Sequence, residues 1–174
     1  MPREREIRGA RRVLAGLALA VLLPLAPPAM SAGRDLHDYW DGRCKDCHGD
    51  AGAFARRTLR VEQGRLVGAH HGTDLETFLR SHYLTDELVA PVMQMLQAQA
   101  STSPVFRERC AGCHGNAAEF ARQSLAMKDG QLIGRASQRP VQDYLRRHGG
   151  LASEQVPAMV KTLERVLGEV GGRP

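Results

Sequence analysis

The segments CKDCHG at residues 44–49 and CAGCHG at residues 110–115 carry one pattern, Cys-x-x-Cys-His-Gly. Together they contain all four cysteines of the 174-residue chain. Each copy places two thiols and one imidazole within five consecutive residues. Because both copies keep the same spacing, they predict two sites with the same chemistry.

Cys-x-x-Cys-His is the attachment pattern of c-type haem. Two thiols form thioethers with the vinyl groups of one haem, and the adjacent histidine binds the iron as proximal ligand. The pattern predicts two covalent haem c groups, each with its iron, held by Cys44, Cys47, Cys110 and Cys113 and ligated by His48 and His114. Zinc sites, redox-active cysteine pairs and disulfides remain alternatives. Zinc would need a fourth ligand at each site, and cysteine pairing alone does not account for the histidines.

The two segments belong to a longer tandem repeat with an offset of 66 residues. The residues that match at this offset include Trp40 with Phe106, Phe54-Ala55-Arg56 with Phe120-Ala121-Arg122, His82 with His148, Pro91 with Pro157, and Met93 with Met159. We therefore predict haem modules at residues 33–100 and 101–174. A module this short has difficulty building a core. A large apolar haem would supply such a core. It would also account for the low share of aromatic residues, which make up only 5% of the chain.

Residues 1–32 have the order of a secretory signal peptide. Five arginines and two glutamates precede an uncharged apolar run, and small residues lead to a cleavage site near Ser31 or Ala32. A retained membrane anchor is the alternative, but the run is shorter than the roughly 20 residues of a spanning helix. The sequence therefore predicts a periplasmic protein. This segment carries a net charge of +3. Its removal lowers the formal net charge of the chain from +5 to +2. That low charge, without a basic aromatic patch, argues against a nucleic-acid partner.

Hydrophobic spacing predicts a mostly α fold in each of the two tandem haem modules. In each module a helix leads into the motif, and another helix carries an apolar stripe that ends at His82 or His148. A last amphipathic helix covers about 87–98 in the first module and 154–167 in the second. Asp129-Gly130 is a turn signal that predicts a short β-hairpin or an extended turn, with a counterpart in the first module.

Two repeat-matched pairs are candidates for the sixth iron ligand: His82 with His148, and Met93 with Met159. Both histidines fall on the apolar stripe of a helix, in modules that must ligate iron. Met159 instead falls in step with Val156, Val160 and Leu163, which is typical of core packing. We therefore favour ligation by two histidines at each iron and keep His/Met ligation or an open site as alternatives.

Other candidate residues carry weaker signals. The histidines without a counterpart in the other module are expected in solvent-exposed positions: His37, His70 and His71. Arg56 and Arg122 suit either haem propionates or a solvated face. Phe54 and Phe120 are expected to pack on the haem.

The motifs at residues 44–49 and 110–115, each followed by a helical module, resemble the class I c-type cytochromes. The arrangement is similar to a tandem diheme cytochrome of bacterial periplasms. The resemblance implies a mostly helical fold and electron transfer between membrane-bound and soluble redox proteins. The distal methionine of that family has no clear counterpart here. Ligation by two histidines usually means a lower reduction potential than His/Met ligation.

These observations predict an electron-transfer protein with redox protein partners, no enzymatic activity and no small-molecule substrate. One alternative is a small diheme peroxidase-like enzyme, which needs an open iron position and a distal acid–base group such as His70 or His71. Another is a haem-based sensor or a haem subunit of a larger oxidoreductase.

Overall fold

The computed structural model describes residues 33–69 and 74–171. The signal peptide, its cleavage site, and residues His70 and His71 lie outside this part of the chain. The described residues belong to one compact unit. The boundary between the two modules stays a prediction.

The first half of the described chain contains five helices and one hairpin. Their bounds are α1 Leu36–Arg43, α2 Lys45–His48, α3 Ala51–Thr58, β1 Leu59–Glu62, β2 Arg65–Gly68, α4 Leu75–Arg80 and α5 Asp86–Ser101. Asp35 and Asp50 cap α1 and α3 by accepting hydrogen bonds from backbone amides of the first turn. The long helix α5 packs against α3 and β1.

The second half repeats this order. Its elements are α6 Val105–Arg109, α7 Ala111–His114, α8 Ala117–Ser124, β3 Leu125–Lys128, β4 Gln131–Gly134, α9 Val141–Leu145 and α10 Gln155–Glu169. The motif helix, the helix after it and both strands keep the offset of 66 residues without change. Asn116 caps α8 in the place that Asp50 occupies in the first half.

Each hairpin turns through two residues with positive φ. They are Gln63 and Gly64, with φ of 51° and 76°, and Asp129 and Gly130, with φ of 51° and 73°. Two consecutive positive φ values match the twist of antiparallel strands, which is why Asx-Gly pairs favour such turns. The predicted hairpins are therefore confirmed, and so is the mostly helical fold.

The buried apolar residues form two clusters, one in each half. In the first, Leu88, Val92 and Met95 of α5 face the hairpin and α3. Ala55 and its counterpart Ala121 are fully buried, which lets α3 and α8 lie close to the long helices. Within residues 33–69 and 74–171, no helix is both long and apolar enough to cross a membrane.

Candidate functional site

The two Cys-x-x-Cys-His segments fold in the same way, each as a single helical turn, α2 and α7. The Cys44 amide donates to the Trp40 carbonyl and ends α1, and the His48 amide then donates to the Cys44 carbonyl, 2.9 Å away. In the second half the corresponding bond from His114 to Cys110 is 3.0 Å long. A glycine with positive φ ends each turn, so the chain can leave without a Cβ clash.

The thiols of each motif are free, with one half-buried and one exposed. Burial raises the pKa of the half-buried thiols, Cys44 and Cys110. Within the described residues, no three side chains of the His, Cys, Asp or Glu types converge to hold a metal ion.

Each motif histidine faces the repeat-matched histidine of the same half. The ring centroids of His48 and His82 lie 6.0 Å apart, and those of His114 and His148 lie 5.9 Å apart. Two imidazoles that bind one metal ion from opposite sides, each nitrogen about 2 Å from the ion, have centroids about 6 Å apart. The centroid separations of both pairs are close to this value.

The facing histidines lie just beyond short helices, which corrects the longer helices expected from the sequence. Helix α4 ends at Arg80, and the next amides bond three residues back, with His82 donating to the Leu79 carbonyl at 3.1 Å. This tighter turn places His82 outside the α-helix. In the second half, Arg147 donates to Tyr144 in the same manner.

The residue after each facing histidine has a left-handed backbone. Gly149 follows His148 with φ of 83°, and Tyr83 follows His82 with φ of 62°. The Tyr39 hydroxyl donates to the Tyr83 carbonyl at 2.7 Å and so holds that conformation. The turn that presents each histidine therefore depends on a backbone region that non-glycine residues rarely adopt.

Aromatic rings pack on the motif histidines. The Phe54 ring lies 4.7 Å from the His48 ring, and Phe120 lies at the same distance from His114. Trp40 packs on Phe54 and donates its indole N–H to the Gly49 carbonyl at 2.8 Å. Phe54 and Phe120 are thus placed to fix the orientation of the imidazoles.

Aromatic rings also stack on the facing histidines, a role that the sequence analysis missed. Phe78 lies 4.7 Å from His82, and Tyr144 lies 4.6 Å from His148, measured between ring centroids. Phe78 and Tyr144 fall on the apolar stripes that end at His82 and His148, yet they are 48% and 60% exposed. The sequence does contain one signal for this role: an aromatic residue stands four residues before the histidine in both repeats.

The His48 imidazole is shifted toward its neutral form. Burial, followed by the charge of His82, lowers the pKa of His48. Neutral imidazole is the form that binds metal ions. The site therefore favours the protonation state that iron ligation needs.

A cavity of about 910 Å³ lies beside His148 in the second half. Its volume is near the upper limit of small-molecule and cofactor sites. Its apolar lining includes Phe106, Phe120, Leu125, Leu145, Met159 and Leu163, and its basic lining consists of Arg135, Arg139, Arg146 and Arg147. An apolar wall with guanidinium groups around it suits a large apolar group that carries carboxylates.

The two methionine candidates lie inside long helices. Met93 is in α5, half-buried, and Met159 is in α10, 4% exposed, and each packs in the apolar cluster of its half. Met159 also lines the cavity beside His148. This placement agrees with core packing.

Arg56 and Arg122 bind residues other than the paired histidines. The Arg122 guanidinium binds Asp35 at 2.5 Å and Asp38 at 2.6 Å, which joins the second half to the start of the first. Arg56 donates to the Gln99 carbonyl at 3.4 Å. Arg122 thus takes part in a contact between the two halves.

The expectation that His37 is solvent-exposed is wrong. Its Nε2 lies 2.8 Å from the Glu169 carboxylate, and the two side chains are only 16% and 9% exposed. Glu169 also binds Arg165. His37 therefore connects α1 to the end of α10.

The structure thus brings each motif histidine opposite one repeat-matched histidine, with aromatic rings on both. Comparison of the chain with protein-family models, with curated proteins and with solved structures found no match.

Proposed function

We propose that the chain is an exported diheme c-type cytochrome that passes single electrons between redox partner proteins, some of them membrane-bound. The observation that supports this most strongly is the repeated pairing of a Cys-x-x-Cys-His histidine with a second histidine about 6 Å away. Each half then offers two thiols for covalent attachment and two imidazoles for one iron.

Haem c supplies a one-electron couple when it is bound. The cysteine thiols would hold it covalently, and His48 with His82, or His114 with His148, would occupy both axial positions. With both positions filled, no position is left for a substrate at the iron. This argues for electron transfer and against catalysis.

Other residues keep the ligands in place. Phe54 and Phe120 support the motif histidines, and Phe78 and Tyr144 support the facing ones. Since Phe78 and Tyr144 are exposed, each facing histidine lies close to the surface. That position suits electron exchange with a docked protein.

The full chain tests this proposal when it is expressed with its own leader in a bacterium that matures c-type cytochromes. We expect a periplasmic protein with two haems per chain and a six-coordinate low-spin spectrum. The reduced protein as isolated should not bind carbon monoxide. The Cys110→Ser/Cys113→Ser variant should retain one haem, and a double serine substitution at two exposed non-motif positions should retain both.

Three results would overturn the proposal. A purified protein that carries zinc and no haem would show that the motifs bind zinc. Carbon monoxide binding together with peroxide turnover that is lost in His71→Ala would show a peroxidase-like enzyme. Stoichiometric co-purification with a large catalytic chain would show a subunit in place of a free carrier.

A further inference from the structure

The charges around the two facing histidines are opposite in sign. Residues 69–88 of the first half contain Asp74, Glu76, Arg80, Asp86 and Glu87, a net charge of −3 with neutral histidines. The repeat-matched residues 135–154 contain four arginines, one aspartate and one glutamate, a net charge of +2. The halves therefore differ by five charges in the segment that presents the facing histidine.

Ion pairing does not remove this difference. In the first half Arg80 is bound by two carboxylates, Glu76 at 2.5 Å and Asp86 at 3.1 Å. In the second half Arg146 has one carboxylate partner, Asp143, at 3.2 Å. Among the described residues, Arg139 and Arg147 form no ion pair.

The positive charge of the second half lies around the cavity. Arg135, Arg139, Arg146 and Arg147 all line it beside His148. Arg135 is held there, because its guanidinium donates to the Leu125 carbonyl at 2.8 Å. The residues at the matching positions of the first half are Ala69, Thr73, Arg80 and Ser81, so that three of the four arginines have no counterpart.

We propose that these charges give the second iron site the higher reduction potential, so that electrons enter at the first half and leave from the second. This inference rests on the proposed function. Oxidation adds one positive charge to a haem, and nearby positive charge opposes that change whereas nearby carboxylates favour it. Two haems of the same type bring the same propionate charge, so the difference between the halves comes from the protein.

A redox titration of the purified protein tests the order of the potentials. The titration is run at pH 8, above the ordinary pKa of histidine. We expect the electron on a half-reduced molecule to favour the higher-potential site at least tenfold, which is about 59 mV for a one-electron couple.

Two double variants assign the sites. Arg139→Gln/Arg147→Gln should lower only the higher potential and thereby reduce the difference between the two. Glu76→Gln/Asp86→Asn should raise only the lower potential. The control Lys128→Gln/Lys161→Gln removes the same charge from exposed positions of the second half that lie outside its charged segment, and it should leave the difference unchanged.

The inference fails if the arginine variant lowers the lower potential, or if both potentials shift equally in either charge variant. Failure of the proposed function looks different. It appears before any titration, as a protein without two low-spin haems. Two low-spin haems whose potentials ignore these substitutions would overturn this inference alone.

Discussion

The imidazole of His148 lies 5.9 Å from that of His114, although 34 positions of the sequence separate them. Met159, the competing ligand, lies within α10 among apolar side chains. The first prediction follows from this placement. In the proposed diheme cytochrome, His148→Ala should convert one of the two haems to a high-spin form that binds carbon monoxide when reduced, and Met159→Leu should leave both low-spin.

Optical and carbon monoxide difference spectra of the oxidised and reduced proteins measure this. His82→Ala should reproduce the effect at the other haem, and Met93→Leu should have none. A weak long-wavelength thioether-to-ferric band that disappears in Met159→Leu would instead establish His/Met ligation.

The glycine after His148 is predicted to be required for its backbone conformation. Gly149 has φ of 83°, and a Cβ added there would meet no atom within 4 Å. Gly149→Ala therefore tests the backbone without a steric clash. It should lower the free energy of unfolding by about 1 kcal/mol, the cost of a left-handed non-glycine residue.

Gly168→Ala is the matched control. Gly168 also has open space around its Cβ position, but it lies in α10 with helical geometry. That substitution should raise the free energy of unfolding by about 0.5–1 kcal/mol, because alanine is the better helix former. Denaturant unfolding of both variants gives the comparison, and equal effects would contradict the role of the turn.

Local signals in the sequence were sufficient for the elements that form by local interactions. Asp129-Gly130 predicted the hairpin because few residues tolerate the φ values of its turn. The helix before His82 was predicted too long, since periodicity does not show that the last amides bond three residues back. The exposure of Tyr144 could not be predicted either, because an aromatic residue on an apolar stripe fits a core position equally well.

Repeat matching could not predict the contacts between the two halves. Arg122 and Arg56 match at the offset of 66 residues, yet only Arg122 binds Asp35 and Asp38. The positions matching those carboxylates are Ser101 and Pro104, which offer no charge. A contact across 87 positions depends on how the halves pack, and periodicity contains no such information.

The bond between Asp35 and Arg122 predicts a pH-dependent contribution to stability. Burial alone would raise the pKa of Asp35, but hydrogen bonds from Arg122 and the Asp38 amide outweigh it, and the pKa is lowered. The stabilisation is then fully present above the unfolded-state pKa, about 3.9. It is lost as the pH falls through the lower folded-state pKa.

Asp35→Asn should therefore lower the free energy of unfolding by about 1 kcal/mol at pH 7. The difference from the wild type should shrink as unfolding is measured at progressively more acidic pH. Asp129→Asn removes one charge in the same way from an exposed turn, where Asp129 has no ion pair with any of the described residues, and it should have little effect. A deficit of Asp35→Asn that stays constant down to pH 2 would contradict the ionic origin.

The ring of Tyr144 is predicted to hold His148 in position for ligation. Its centroid lies 4.6 Å from that of His148 at an interplanar angle of 33°. Aromatic pairs of this kind contribute about 0.5–1.5 kcal/mol. Tyr144→Ala should therefore let added imidazole or cyanide displace His148 from the ferric haem about 2- to 10-fold more readily. Tyr144→Phe keeps the ring and should bind these ligands like the wild type.

Phe78→Ala provides the corresponding test at the other site. Because Phe78 stacks on His82 at 4.7 Å, only the first haem should become more accessible to the added ligand. Ligand titration followed in the optical spectrum resolves the two sites if one half of the absorbance change appears at lower ligand concentration. Equal titrations of Tyr144→Ala and Tyr144→Phe would show that the tyrosine ring does not hold His148. The Tyr144 ring, which is 60% exposed, would then have no role in iron ligation.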